Sequence, residues 1–237
     1  MPVNVAALQG PQAWGDVPGA LDRLRHSLRE LKDVDLLLIP EAGFTGYVSP
    51  RGDFDLRRFA EPLEGPTAGA VAALATGHRL AIAAPLIERE GDRFFNALLL
   101  FDAEGRRIGH WRKRHPWIPE TWATPGDLGA PVVEWRGLRV TAAICYDLHF
   151  LDEAAAELDR SDVLLFPSAW VEEGPDTRVP KLQSLARRFD LTVVNANWAA
   201  GDSRVSGQGG SVIVGPDGRL LARARGAGAE TLVASVG

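Results

Sequence analysis

Short apolar runs alternate with stretches of helical period along most of the chain. After Asp16, Leu21, Leu24, Leu28 and Leu31 recur at offsets of three, four and three, so one face of a helix is apolar and docks on a sheet. Residues 35–39 then read as a buried strand. Gly65, Pro66 and Thr67 supply a turn and a helix start, and Ala68, Val71, Ala72 and Ala75 give that helix a narrow face of small residues. Strands are predicted over 80–85, 96–101 and 107–111, the last two joined through a turn at 102–105. A hairpin around Arg136 and Gly137 joins 132–135 to 138–144.

Further along, the pattern predicts a helix over 150–160 and a strand over 163–167. A second helix over 177–190 has Val179, Leu182, Leu185, Ala186 and Phe189 as its apolar positions, and a strand over 192–196 follows it. Three more strands are predicted over 210–214, 220–224 and 231–236, with Pro216, Asp217 and Gly218 turning the first onto the second. Strands that alternate with helices imply crossover connections in an α/β fold. Roughly ten to twelve strands with four main helices exceed what one sheet of such a chain carries. Two sheets facing each other, with helices outside, would bury every apolar face.

The 237 residues, 46% of them hydrophobic, suffice for one sizeable core, and no polar linker divides them, so residues 1–237 read as one domain. The net charge of −5 argues against a nucleic-acid partner. Arg106, Arg107, Arg112, Lys113, Arg114 and His115 form a local basic stretch; Trp111 interrupts it and residues 116–119 follow, which suits a pocket-lining loop. No eighteen consecutive apolar residues occur, so no membrane span is expected. Residues 1–9 lack a basic region before an apolar one and read as a first strand rather than a signal peptide. A single cysteine allows no internal disulfide, which makes the cytoplasm the default setting and leaves a free thiol.

That thiol, Cys145, closes the apolar run 140–144. Glu41 follows the run 36–40, and Lys113 follows the strand over 107–111. Taken singly, each has an ordinary reading: a small buried hydrophobe, a solvated carboxylate, one more surface charge. Together they place a thiol, a carboxylate and an ammonium at three strand ends, where α/β sheets converge their reactive groups. With only five histidines and no paired Cys or Asp spacing, neither a metal nor a cofactor is expected.

Several motifs stand in one order along almost the whole chain: Pro40-Glu41 with Gly46-Tyr47, Arg112-Lys113-Arg114-His115, Cys145-Tyr146-Asp147, and Gly207-Gln208-Gly209-Gly210-Ser211 before Pro216-Asp217-Gly218. In this the chain resembles the nitrilase or carbon-nitrogen hydrolase superfamily. The resemblance implies an αββα four-layer sandwich that pairs with a second copy. It also implies a Glu-Lys-Cys triad at Glu41, Lys113 and Cys145 that hydrolyses non-peptide carbon-nitrogen bonds, with a second glutamate at Glu120. Many members continue after the nucleophile with an arginine and a proline where this chain has His149 and Leu151.

The expected chemistry has Glu41 take the thiol proton, Cys145 attack an amide carbonyl, and Lys113 with the Tyr146 N–H meet the developing charge. Phe44, Tyr47, Trp117, Tyr146, His149 and Trp170 are expected to wall the substrate pocket. The expected activity is that of a cytoplasmic amidase on a small linear amide, ω-amidase-like and releasing ammonia. Nitrile or N-carbamoyl hydrolysis, acyl transfer to an amine and a non-catalytic binding role stay open as alternatives. Trp198, Phe189 or the last strand would contribute to an apolar pairing seam of a homodimer.

Overall fold

Strand β1 (Val3–Gln9) leads to helix α1 (Val17–Glu30) in the computed structural model, which describes residues 2–171, 175–201 and 205–237. Met1 of the stretch read as a first strand lies outside the described residues. Asp16 caps α1, its Oδ1 accepting the Gly19 N–H at 3.0 Å, and Pro18 sits in the first turn, where no intrahelical N–H is needed. Ala20, Leu24 and Leu28 are buried along one face, as the spacing of leucines predicts.

Strand β2 (Leu36–Leu38), helix α2 (Pro66–His78), and strands β3 (Ala81–Glu90), β4 (Arg93–Phe101) and β5 (Arg107–Arg112) complete the first half. Strands β6 (Val133–Trp135) and β7 (Leu138–Ala142) form the expected hairpin. Its two turn residues, Arg136 and Gly137, have φ of 51° and 79°, the left-handed pair that a two-residue hairpin turn requires. A 3₁₀ run (Cys145–Ala154), the short helix α3 (Ala155–Leu158), strand β8 (Val163–Ser168), helix α4 (Pro175–Phe189) and strand β9 (Thr192–Asn197) follow. Strands β10 (Val212–Val214), β11 (Leu220–Arg223) and β12 (Glu230–Val236) end the order.

The strands form two six-stranded mixed sheets, in the orders β12-β1-β2-β3-β4-β5 and β11-β10-β9-β8-β7-β6. Each has three parallel strands at its centre, β1-β2-β3 in one and β7-β8-β9 in the other, flanked by antiparallel strands. Alternation along each strand sorts the side chains into layers. Val5, Leu36, Leu38, Ala83 and Leu98 meet Val140, Ala142, Val163 and Val194 of the other sheet in one core cluster. Ala6, Leu37, Ile82 and Leu99 point the other way and join Leu24, Leu28, Val71 and Ala75 of α1 and α2. Parallel strands covered on both sides in this way read as continuous apolar runs. Helix α4 buries Val179, Leu182, Leu185, Ala186 and Phe189, the five positions its sequence period marks. The result is the αββα sandwich.

Two elements depart from expectation. Strands β3 and β4 run on to a hairpin at Gly91 (φ 59°), pairing Glu88 with Phe95 and Glu90 with Arg93; the polar residues there hid the outer half of the hairpin. The helix predicted over 150–160 is instead a 3₁₀ run that begins at Cys145, and Phe150 (φ −128°, ψ 19°) breaks its regularity before a single turn of α-helix. Trp198 and Phe189, offered as parts of a pairing seam, are core residues of this chain. Among the described residues no helix is long and apolar enough to cross a membrane.

Candidate active site

The carboxyl ends of β2, β7 and β8, with the end of β5, converge on one buried cluster. Glu41 lies three residues past β2 and is fully buried. Its Oε1 accepts the Lys113 ammonium at 2.8 Å and the Asn96 amide at 2.7 Å, and its Oε2 accepts the Ala169 N–H, just beyond β8, at 2.8 Å. Gln12 donates to the Glu41 carbonyl at 2.6 Å. Lys113 follows β5 directly, and its N–H to the Asn96 carbonyl, 2.8 Å, continues the β4-β5 ladder and sets these two side chains together.

Glu120 closes the other side of the ammonium. Its Oε2 accepts Lys113 Nζ at 2.6 Å and the Trp117 N–H at 2.6 Å, and its Oε1 accepts Asn96 Nδ2 at 2.9 Å. One ammonium and one amide thus span two buried carboxylates. Cys145 stands at the turn from β7 into the 3₁₀ run with φ of 48°, a left-handed conformation that a side chain adopts only when its surroundings hold it there. Its thiol is near enough to the Glu41 carboxylate, the Lys113 ammonium and the Ala169 N–H for each to act on its protonation.

Burial and the neighbouring charges set the protonation states. Burial raises the Cys145 pKa, the Glu41 charge adds to the rise, and Lys113 opposes it; the net shift is well upward, so the resting thiol is protonated at neutral pH. Burial pulls the Lys113 ammonium down, but Glu120 and Glu41 outweigh it and hold its pKa above the usual lysine range. Burial raises the Glu120 pKa against the pull of Lys113. A protonated thiol therefore sits beside a carboxylate that can receive its proton.

The six residues expected to wall a pocket divide. Tyr47 stacks on Trp117 at 6.4 Å between ring centroids, lies 5.9 Å from Lys113 Nζ and is near enough to Glu120 and Glu41 to feel their charges. Tyr146 packs on His149 at 5.0 Å, and His149 stacks on Trp170 at 5.7 Å; the His149 ring is exposed and Trp170 is buried. These five gather around the cluster. Phe44 does not: the turn closed by the Gly43 N–H to the Pro40 carbonyl delivers it to the layer of α1 and α2, where it packs with Ile39 and Leu24.

Sequence reasoning overlooked Asn96, Asp147, Arg178 and the Ala169 N–H. Asn96 did leave a signal, an amide inside the apolar run 94–101, where an unpaired polar side chain is costly. Asp147 is buried and accepts the N–H groups of Ile144 at 3.0 Å and His115 at 2.9 Å. Among the described residues no three His, Cys, Asp or Glu side chains are grouped so as to hold a metal ion.

A four-layer sandwich with this cluster at its strand ends defines the class, a hydrolase of carbon-nitrogen bonds. The chain belongs to the carbon-nitrogen hydrolase family, whose model matches residues 4–236. A hydrolase of the pqqF 5′ region of Pseudomonas protegens is 32% identical, over 94% of this chain and 79% of its own length. An (R)-stereoselective amidase of a Pseudomonas species is 31% identical over 93% of this chain and 80% of its own. In fold, the chain superposes on the crystal structure of an amidase from Nesterenkonia sp. with a TM-score of 0.89, covering 99% of this chain and 90% of that one at 24% identity.

Proposed function

We propose that this chain is a thiol amidohydrolase that cleaves the non-peptide carbon-nitrogen bond of a small linear amide through a thioester on Cys145, releasing ammonia. The observation that carries the reading is Lys113 Nζ fixed between Glu41 at 2.8 Å and Glu120 at 2.6 Å, with the buried Cys145 thiol near enough to feel the charges of both Glu41 and Lys113.

In this reaction Glu41 takes the thiol proton as sulfur attacks the amide carbonyl. The oxyanion that forms is met by Lys113 and by the Tyr146 N–H, donors already in place before the charge develops. Glu41 passes its proton to the departing nitrogen, which leaves as ammonia, and the acyl group remains on sulfur. Water then adds to the thioester with Glu41 as base, and the acid departs as the thiol is restored. Glu120 and Asn96 hold the ammonium and the base in register, and Tyr47, Trp117, Tyr146, His149 and Trp170 surround the substrate. Removing one such oxyanion donor costs roughly 3 to 4 kcal/mol of transition-state stabilisation.

The same reading includes pairing with a second copy and a cytoplasmic setting, for which the single unpaired thiol speaks. The test is ammonia release by purified protein offered short linear amides, N-carbamoyl amino acids and nitriles. Turnover of the amides that disappears in Cys145→Ala is expected. Turnover confined to nitriles, or turnover that survives Cys145→Ala, overturns the reading.

A further inference from the structure

Asn197 closes strand β9 and is fully buried. Its pairing with Ser168 is the last rung of the parallel β8-β9 ladder, and beyond that rung its side chain takes over from the backbone. Oδ1 accepts the Ser168 hydroxyl at 3.0 Å and the Trp170 N–H at 2.9 Å, while Nδ2 donates to the Gly209 carbonyl at 2.8 Å. Only this orientation of the amide satisfies both ends, since a backbone N–H faces one and a carbonyl the other. The next residue, Trp198, adds a bond from its Nε1 to the Trp170 carbonyl at 3.2 Å.

These contacts fall on either side of Ala169, whose N–H holds Glu41 Oε2 at 2.8 Å. Successive N–H groups of an extended chain point to opposite edges of the strand. A Trp170 N–H turned onto Asn197 therefore turns the Ala169 N–H away from β9 and toward Glu41, which follows β2 of the other sheet. Lys113 and Asn96 anchor Glu41 Oε1, so the Ala169 peptide is the second point that sets the rotation of the carboxylate.

The far end of the Asn197 amide gives the glycine-rich stretch 207–210 a role. The Gly209 carbonyl also accepts Arg178 Nη2 at 2.9 Å, the same nitrogen reaches the Gly210 carbonyl at 2.7 Å, and the Gly209 N–H bonds the Trp198 carbonyl at 2.9 Å. A Cβ at Gly207 would lie 2.1 Å from the Ala199 carbonyl oxygen, and one at Gly209 2.5 Å from Ala227 Cα. Without side chains at these positions the backbone comes close enough to the end of β9 to grip the amide.

We propose that Asn197 is a positioning residue for the reaction: it sets the Ala169 N–H that orients the Glu41 carboxylate, and the glycine-rich stretch with Arg178 holds Asn197 in that pose. The assignment rests on the amidase reading above for the reaction and on the bonds around Ala169 for the role.

The test is a double-mutant cycle read at Cys145. Alkylation of the thiol by chloroacetamide near neutral pH, and kcat and KM for butanamide, are measured in the wild type, Asn197→Ala, Glu41→Gln and the double variant. Asn197→Ala is expected to slow alkylation and kcat about 10- to 100-fold by displacing the base, with a smaller change in KM. In the Glu41→Gln background the same substitution is expected to change alkylation by less than about twofold, because the group it acts through is gone. An equal fractional loss of alkylation in both backgrounds, or wild-type rates in Asn197→Ala, overturns the assignment and leaves Asn197 as a brace of the β8-β9 ladder. Should Asn197→Ala not fold, Asn197→Ser, whose hydroxyl stops short of the Trp170 N–H, is judged by the same two criteria. If no amide is turned over, the amidase reading fails, and the alkylation cycle still decides the role of Asn197.

Discussion

Asp147 accepts the backbone N–H of His115 at 2.9 Å and thereby ties the turn of Cys145 to the segment that carries Lys113. The same carboxylate accepts the N–H of Ile144 at 3.0 Å, on the residue just before the cysteine, and meets His115 Nδ1 at 3.1 Å. Sulfur and ammonium approach Glu41 from different sheets, so their spacing depends on a connection between the sheets. Asp147 is one such connection, beside the Ala169 N–H on Glu41, and through the Ile144 N–H it holds the residue that leads into the left-handed Cys145.

Asp147→Asn keeps the shape but replaces one acceptor oxygen with a donor that faces a backbone N–H. Unfolding in urea should show a loss of about 1 to 3 kcal/mol, the cost of leaving buried groups unsatisfied. On the proposed reaction, kcat falls at least tenfold on the expectation that misplaced reacting groups lose rate, and KM moves less. Wild-type kcat in a destabilised Asp147→Asn protein would show that Asp147 serves stability alone.

Lys113→Met removes the only ammonium bonded to both Glu41 and Glu120 among the described residues. Breaking a buried pair of this kind typically costs about 3 to 5 kcal/mol. The cost depends on pH, and its sign follows from the carboxylates. The Glu120 pKa is already raised in the folded chain, and without the ammonium it rises further. The folded variant then binds a proton more tightly than the unfolded one, so its stability falls as pH rises through the unfolded carboxylate pKa of about 4.3 and above. Lys113→Met should therefore lie closest to the wild type near pH 5 and farthest from it at pH 8. Urea midpoints across that range check this, and a constant gap would show that the two carboxylates do not feel the lysine.

What the chain discloses unaided follows the range of the forces involved. The buried faces of α1 and α4 are legible because leucine spacing alone decides which face meets a sheet. Glu41, Lys113 and Cys145 are legible as strand-end residues, and the hairpin turn at Arg136 and Gly137 shows in two adjacent residues. Asn96 and Asp147 are not, since their partners lie on other elements: Asn96 reaches Glu41 across 55 positions and Asp147 reaches His115 across 32. Phe44 illustrates the converse. Proximity to Glu41 in sequence suggests the pocket, but one tight turn sends the ring through the sheet to the helical layer. The helical period over 150–160 misleads because the turn at Cys145 starts the coil early in 3₁₀ form.

Glu120→Gln separates the electrostatic role of the second glutamate from its shape. Burial alone would lower the Lys113 pKa, and the first charge that opposes this is Glu120, ahead of Glu41. Neutralising it leaves one carboxylate to hold the proton on a fully buried amine, so the Lys113 pKa drops. In the wild type the lysine stays charged beyond its ordinary value of about 10.4, and its deprotonation does not limit the rate in the neutral range. On the proposed reaction, the alkaline limb of kcat/KM in Glu120→Gln should move to lower pH, with kcat at neutral pH reduced about 10- to 100-fold as the proposed oxyanion donor loses charge and orientation. The pH profile is the decisive readout, because a purely structural role would depress activity equally at every pH. An alkaline limb that stays where the wild type has it would assign Glu120 to holding Trp117 and Asn96 in place, with no part in keeping the ammonium charged.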